Sequence, residues 1–396
     1  MSRAALKIVV APDSFKGSCS AAAAAGALAD GARSALGAAC EVVEIPLADG
    51  GEGTLDALVS AWDGRVTSVP SSDALGRPRT GRVGFRGSGS GGGVDRTSAG
   101  RLAIIEAADA NGLPWVSDQP LRALDADSYG VGLLILAALD AGVDEVLLCI
   151  GGSATSDGGA GMLRALGARL LDSFGDEVAP GARGLTDLAR IDLADFDARA
   201  RAVKWRIACD VDNPLIGSRG AAAVFGPQKG AGTAEVAEID AGLERLAALL
   251  RAAGAAHSAD LMNRPGLGAA GGLALGLVAL CGAELVPGAE LVSEVVGLRE
   301  ALASADLVLT GEGRFDAQSL DGKVVSSVVA AAAGRVPVVV IAGSVALSAA
   351  ETRQAGVTAA FSIAQGPATL AELQEHCLEL LAEAAAQITP VILREG

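Results

Sequence analysis

The sequence predicts an α/β protein: a parallel-sheet domain formed by the two ends of the chain, interrupted by a second α/β domain with a mixed sheet. Three observations predict it. Short, apolar, β-branched runs alternate with alanine-rich helical stretches at both ends, the pattern of βα units that build parallel sheets. The middle of the chain breaks that alternation with polar–apolar runs punctuated by glycine and proline. Much of the glycine, 53 of 396 residues, falls where predicted strands end. The boundaries drawn from these shifts are 1–66 with 288–396 for the split domain and 67–287 for the insert.

Lys7–Ala11 is an apolar run stopped by Pro12, hence a buried strand. Ser20–Leu36 is alanine-rich and suits a helix, with Ser18 or Ser20 as N-cap. Glu41–Pro46 is a second strand, and Gly53–Trp62 a second helix ended by Asp63-Gly64. Val66–Phe85 alternates as antiparallel strands do. The run Gly87–Gly93 has no Lys-Ser/Thr after it and no helix starting there, so it reads as a floppy hairpin tip and not as a phosphate loop. Val146–Ile150 is a strand that leads through a glycine-rich loop into a helix. From Pro265 to Ala283 no residue is charged, long enough to raise the question of a membrane span. Gly266, Gly268, Gly271, Gly272, Gly276 and Gly282 favour instead a glycine-rich loop entering a buried helix. The alternation then returns, with strands at 305–310, 336–341 and 357–363, helices at 324–333 and 348–355, and one long helix at 369–388.

Composition excludes several functions. With 47 acidic and 31 basic side chains the net charge is −16, which disfavours nucleic acid or an anionic membrane as partner. Two histidines leave little room for His-based catalysis or metal sites, so proton transfer falls to a carboxylate. Cys19, Cys40, Cys149, Cys209, Cys281 and Cys377 are scattered without a CxxC pair and read as free thiols packed like small apolar residues. The strand-like start at Lys7 shows no leader pattern. A cytoplasmic location, as a monomer or homodimer, is the expectation.

Five loops carry the chemistry, each at the end of a predicted strand or in a polar turn, where open α/β sheets place ligands. Ala11–Ser18 offers Asp13 and Ser14 for a cation or hydroxyl, Lys16 for a phosphate, and helix N-terminal amides for an anion. Pro46–Thr54 offers Gly50, Gly51 and Gly53 for close backbone approach, with Asp49 and Glu52 for Mg²⁺ or as general base. Cys149–Met162 contains Gly151, Gly152, Ser153 and Thr155, able to cradle a phosphate or carboxylate, and Asp157, able to reach a metal or hydroxyl. It is neither a Walker A sequence nor a dinucleotide fingerprint. Ala208–Gly230 presents Asp210, Asp212 and Asn213 as hard oxygen ligands, with Gln228 and Lys229 as donors. Thr310–Lys323 holds Glu312, Arg314, Asp316 and Lys323, charges of both signs. Glycines, carboxylates and a few cations in one set of loops suit phosphoryl transfer, which asks the protein mainly for positioning and charge stabilisation.

These stretches carry a resemblance. APDSFKGS (11–18), PLADGGEGT (46–54), IGGSATSDGGAGM (150–162), ACDVDNPL (208–215), VFGPQKGA (224–231), GAAGGLALGL (268–277) and TGEGRFDAQSL (310–320) together resemble the bacterial glycerate kinase family, type I, over essentially the whole chain. The resemblance implies a flavodoxin/Rossmann-like domain split by an inserted α/β domain, with the active site in the cleft between them. It implies ATP- and Mg²⁺-dependent phosphorylation of D-glycerate, at the 2-hydroxyl to give 2-phosphoglycerate; 3-phosphoglycerate as product, another small hydroxy acid as substrate, and a non-catalytic sugar-acid sensor are the alternatives. On this basis Lys16 and Lys229 neutralise the transferring phosphate, and Gly151–Ser153 cradle an anion. Asp49, Glu52 and Asp210 are Mg²⁺ ligands or general base, and Arg314 clamps the glycerate carboxylate. Asp157 joins this catalytic set, while Asp13, Ser14, Gly50, Gly51, Glu312 and Asp316 fall to the nucleotide. The chain departs from the family pattern at Ser156, where Asn is usual, and at Asp321, where His is frequent.

Overall fold

The computed structural model describes residues 6–37, 40–87, 101–253, 260–320 and 323–393; Asp321 and most of the glycine-serine run, 88–93, lie outside them. The chain divides into two compact units, Met1–Asp49 with Asp56–Trp62 and Pro287–Gly396, and Gly50–Leu55 with Asp63–Val286. In chain order the strands of the two main sheets are β1 (Leu6–Val10), β2 (Cys40–Glu44), β3 (Arg65–Ser72), β4 (Pro78–Phe85), β5 (Leu102–Glu106), β6 (Glu145–Cys149), β7 (Lys204–Ala208), β8 (Glu284–Val286), β9 (Leu307–Thr310), β10 (Val338–Ala342) and β11 (Ala359–Ser362).

The first unit is a parallel sheet in the order β2-β1-β9-β10-β11. Counted along this unit the order is 2-1-3-4-5, the flavodoxin-like arrangement, whose switch point falls between β1 and β9. Ile8–Val10, Leu307–Leu309 and Val338–Ala342 are buried throughout, as continuous apolar strands covered on both faces must be. The helix Ala21–Leu36 is capped by Ser20, whose Oγ accepts from the Ala23 N–H at 3.2 Å. Gly31 lets this helix lie close against the last one, since a Cβ there would strike the Ala382 carbonyl.

The single helix predicted at 369–388 is in fact two, Leu370–Glu375 and Cys377–Ile392, broken at His376. The first is held by a Thr369–Glu372 capping box and buries no residue. The second turns Cys377, Leu381 and Ala385 into the core beside Ala25 and Leu28. The break frees a helix with no core face from the direction imposed on the one that has it.

The second unit is a six-stranded mixed sheet, β8-β7-β6-β5-β4-β3. The pairs β3–β4 and β4–β5 are antiparallel and the rest parallel. The uncharged segment 265–283 ends in the helix Leu275–Cys281, buried from Leu275 to Leu280. Its glycines have a packing reason. Gly271, at φ +72°, accepts from the Gly158 N–H at 3.0 Å, and a Cβ on it would collide with the Thr155 carbonyl. Among the described residues no helix is long and apolar enough to cross a membrane.

Candidate active-site clusters

The first cluster sits at the switch point of the parallel sheet. Past the end of β1 the chain stays laced to the end of β9: Ala11 N–H donates to Leu309 O at 2.7 Å and Asp13 N–H to Gly311 O at 2.8 Å. The Thr310 hydroxyl donates to Ala11 O at 2.7 Å. Phe15 anchors the turn in the core, and it and Cys19 exchange backbone hydrogen bonds at 3.0 Å that close the loop. Asp13 is thereby held inside, 9% exposed, with Oδ1 accepting from Ser14 N–H at 2.6 Å. Its pKa is pushed up to about 7, first by burial and then by the charge of Asp49, with Glu312 adding to the rise while the Ser14 N–H and Lys16 oppose it.

Three carboxylates predicted from three separate loops, Asp13, Asp49 and Glu312, are therefore brought within electrostatic reach of one another. Burial also raises the pKa of Glu312, and among the described residues its Oε1 is buried without a hydrogen-bond partner. Lys16 is exposed at the rim of the same turn. Arg314 is engaged by its neighbour Asp316 at 2.9 Å. Asp316 also organises its own turn, its Oδ1 accepting from Gln318 N–H and its N–H donating to Ser319 Oγ, both at 3.0 Å.

The second cluster lies beyond β6. Gly151 and Gly152 are exposed and Ser153 to Asp157 buried. Gly50 and Gly51, of the same unit, lie against it: a Cβ on Gly151 would sit 3.4 Å from Gly51 Cα and 4.0 Å from Gly50 O. Two glycine backbones thus run side by side with no side chain intervening. Lys229 is 2% exposed beneath the loop, and its Nζ donates to Thr155 O at 2.6 Å and Ser153 Oγ at 3.2 Å. Burial lowers its pKa to about 7, against the pull of Asp157. Lys229, which the sequence offers as a phosphate contact, holds the loop through these two bonds.

Asp157 is fully buried. Its carboxylate accepts from Ser128 N–H at 2.9 Å, Ser128 Oγ at 2.7 Å, Gly159 N–H at 3.1 Å and Gly161 N–H at 3.0 Å. Burial and then the neighbouring Asp127 raise its pKa, against those donors. The geometry describes a group that fixes the helix start after the loop. Asp210 and Glu52 are exposed. Asp212 pairs with Arg219 at 2.8 Å, and Asn213 Nδ2 donates to Arg219 O at 2.8 Å, so this turn is spent on its own closure.

Sequence reasoning missed the segment beyond β5. Glu106 Oε1 accepts from Leu55 N–H at 2.7 Å, a bond within the second unit. Asn111 supports the glycine loop from below: its O accepts from Ala154 N–H at 2.7 Å and its Nδ2 donates to Thr155 Oγ1 at 2.9 Å. Among the described residues Asn111 Oδ1 and Ser156 Oγ are buried without partners. The available signal was the strand-end rule itself, applied to Glu106 after Leu102–Ile105.

Among the described residues no three His, Cys, Asp or Glu side chains converge as a ready metal site. Mg²⁺ commonly takes one or two carboxylates and fills its shell with phosphate oxygens and water. The orphaned Glu312 Oε1, with Asp49 near it, is a donor set of that kind.

A flavodoxin-like parallel unit with acidic and basic loops at its switch point, and a mixed-sheet unit with a glycine–hydroxyl cradle, define a phosphotransferase of the α/β class. The model of the glycerate kinase family matches residues 8–393, and the chain belongs to that family. It is 43% identical to the glycerate kinase of Bacillus subtilis (strain 168), over 98% of each chain. It is 39% identical to the glycerate 2-kinase of Escherichia coli (strain K12), again over 98% of each. A crystal structure from Salmonella typhimurium LT2, of a chain named a glycerate kinase 2, superposes with a TM-score of 0.86 at 41% identity and 99% coverage of both. The protein is thus an enzyme of the glycerate kinase type.

Proposed function

We propose that the enzyme transfers the γ-phosphoryl group of ATP to the 2-hydroxyl of D-glycerate. The observation that carries the proton step is the buried Asp13 carboxyl at the switch point, held near neutral pKa by burial and two acidic neighbours. In this reading the 2-hydroxyl oxygen attacks the γ-phosphorus, the bond to the β-phosphate oxygen breaks, ADP leaves, and the hydroxyl proton passes to Asp13. Lys16, exposed on the same turn, neutralises phosphate charge. The Gly151–Ser153 amides cradle an anion, and Lys229 fixes the loop that presents them. Asp49 and Glu312 are the residues that would hold Mg²⁺, which when bound supplies charge neutralisation to the phosphates. The 2-hydroxyl assignment draws support from the Escherichia coli relative, named a glycerate 2-kinase.

The test is one NMR spectrum of the product formed from D-glycerate, ATP and Mg²⁺. 2-Phosphoglycerate is expected; 3-phosphoglycerate, or no product with ATP, overturns the proposal. Asp13→Asn should lower kcat between about a hundredfold and ten-thousandfold.

A further inference from the structure

Cys19 and Cys377 are separated by 358 residues, yet their sulfurs stand 3.8 Å apart. Neither position has a structural need for sulfur that the fold reveals. Cys19 closes the turn that begins at Asp13, through the backbone pair with Phe15. Cys377 opens the sixteen-residue helix Cys377–Ile392, whose positive N-terminal end favours a thiolate. Cys19 and Cys377 share a sulfur hydrogen bond that lowers the Cys377 pKa; burial opposes this, and the Ser18 hydroxyl assists. Cys19 is correspondingly pushed up, and it is half-buried, so small oxidants reach the pair from its side. Cys209 and Cys281, by contrast, are raised chiefly by burial, and among the described residues no thiol is among the groups that shift them.

We propose that Cys19 and Cys377 are a reversible oxidation site, and that their disulfide ties the Asp13–Ser18 turn to the final helix and slows turnover. Closing from 3.8 Å to the bond length of about 2.0 Å requires a shift of under about 2 Å. With a peroxide as oxidant, the Cys377 thiolate takes one peroxide oxygen to become a sulfenic acid. The Cys19 sulfur then displaces that oxygen as water. Overall, two thiols lose two hydrogens and two electrons, and the peroxide becomes two waters. The turn is already tight against this end of the fold, since a Cβ on Gly17 would sit 2.9 Å from Gln374 Nε2. A covalent tie there has little slack to absorb. The effect on turnover rests on the assignment of the Asp13 turn to the reaction.

The experiment treats the full-length enzyme with dilute hydrogen peroxide, maps linked peptides under non-reducing conditions, and assays turnover before and after dithiothreitol. The expected result is a Cys19–Cys377 linked peptide, a fall in kcat of about tenfold or more, and recovery of both on reduction. Cys19→Ser, at a half-buried position whose bonds to Phe15 are made by the backbone, should keep the reduced enzyme's turnover and lose the response. Absence of the linked peptide, a linked enzyme of unchanged kcat, or equal peroxide sensitivity in Cys19→Ser would each overturn the inference. The Asp13→Asn assay judges the turn's catalytic role separately: a linked enzyme of unchanged kcat beside an inactive Asp13→Asn variant condemns the thiol switch and leaves that role standing.

Discussion

Replacing Asp13 by Asn removes one proton-binding group from a buried turn and keeps its shape, including an oxygen to accept the Ser14 N–H. In the folded chain this carboxyl titrates at about 7; in the unfolded chain it returns to about 3.9. Between those values the folded state keeps a proton that the unfolded state has released, so stability falls as pH climbs through the window. From about pH 5 to about pH 8 the loss from this single group is about 2–3 kcal/mol. Lys229 titrates in the same region with the opposite sign, but it is present in both proteins and cancels in the difference. Urea unfolding of wild type and Asp13→Asn at a series of pH values therefore isolates the term. The wild-type curve should drop relative to the variant by about 2–3 kcal/mol across that range, leaving Asp13→Asn the more stable protein at alkaline pH and the less active one at every pH. Parallel curves would refute the argument that burial and the acidic neighbours hold Asp13 protonated.

Lys229→Met should abolish the part of the stability profile that rises with pH between about 7 and about 10, because the buried amine is charged at that pH only in the unfolded chain. With the loop's post removed, kcat should also fall by about a hundredfold, and a variant with normal kinetics would show that the Gly151–Thr155 loop needs no such support. Asp157→Ala strands the Ser128 N–H and O–H with the Gly159 and Gly161 N–H groups, so the unfolding free energy should fall by at least about 3 kcal/mol; equal stability in denaturant would place Asp157 outside the scaffold. Gly271→Ala forces a Cβ against the Thr155 carbonyl at positive φ, and should cost about 1–3 kcal/mol in urea unfolding while raising KM; an unchanged midpoint and KM would mean the two loops are not in register.

The α/β class was legible because β1, β9 and β10 are continuous apolar runs between helical stretches, and that pattern needs no tertiary information. The order 2-1-3-4-5 was not, since it depends on Ile8 pairing with Leu307 across nearly three hundred residues. Position at a strand's end marked the turns of Asp13 and Glu312; only the lacing of Ala11 to Leu309 and Asp13 to Gly311 shows that they meet. Burial was the least readable property. Lys229 stands in Gly-Pro-Gln-Lys-Gly, which reads as a solvated loop, yet it is among the most enclosed cations of the described residues. Glu106 and Asn111 were overlooked because each is a lone polar residue in an apolar or alanine-rich neighbourhood, without the glycine–hydroxyl density that drew attention to residues 150–162. The break at His376 was hidden by uninterrupted helix-forming residues on both sides, and follows from which helix has a face to bury.

The shortage of histidine now has a structural answer. His376 is exposed and paired with Glu379 at the surface, and His257 lies outside the described residues. Among the described residues a carboxyl and an amine are displaced to near neutrality from opposite directions by the same cause, loss of water. Each can be buried without its partner charge because each can go neutral: Asp13 by holding a proton, Lys229 by giving one up. A ligand that brings the missing counter-charge reverses both. Phosphate oxygens near the glycine loop would draw Lys229 towards its ammonium form, and a divalent cation held by Asp49 and Glu312, the residues proposed for Mg²⁺, would draw Asp13 towards its carboxylate form. The carboxyl would then become a base only when the charged substrates are in place, so that the cost of keeping a naked carboxylate in the core of the free enzyme is never incurred.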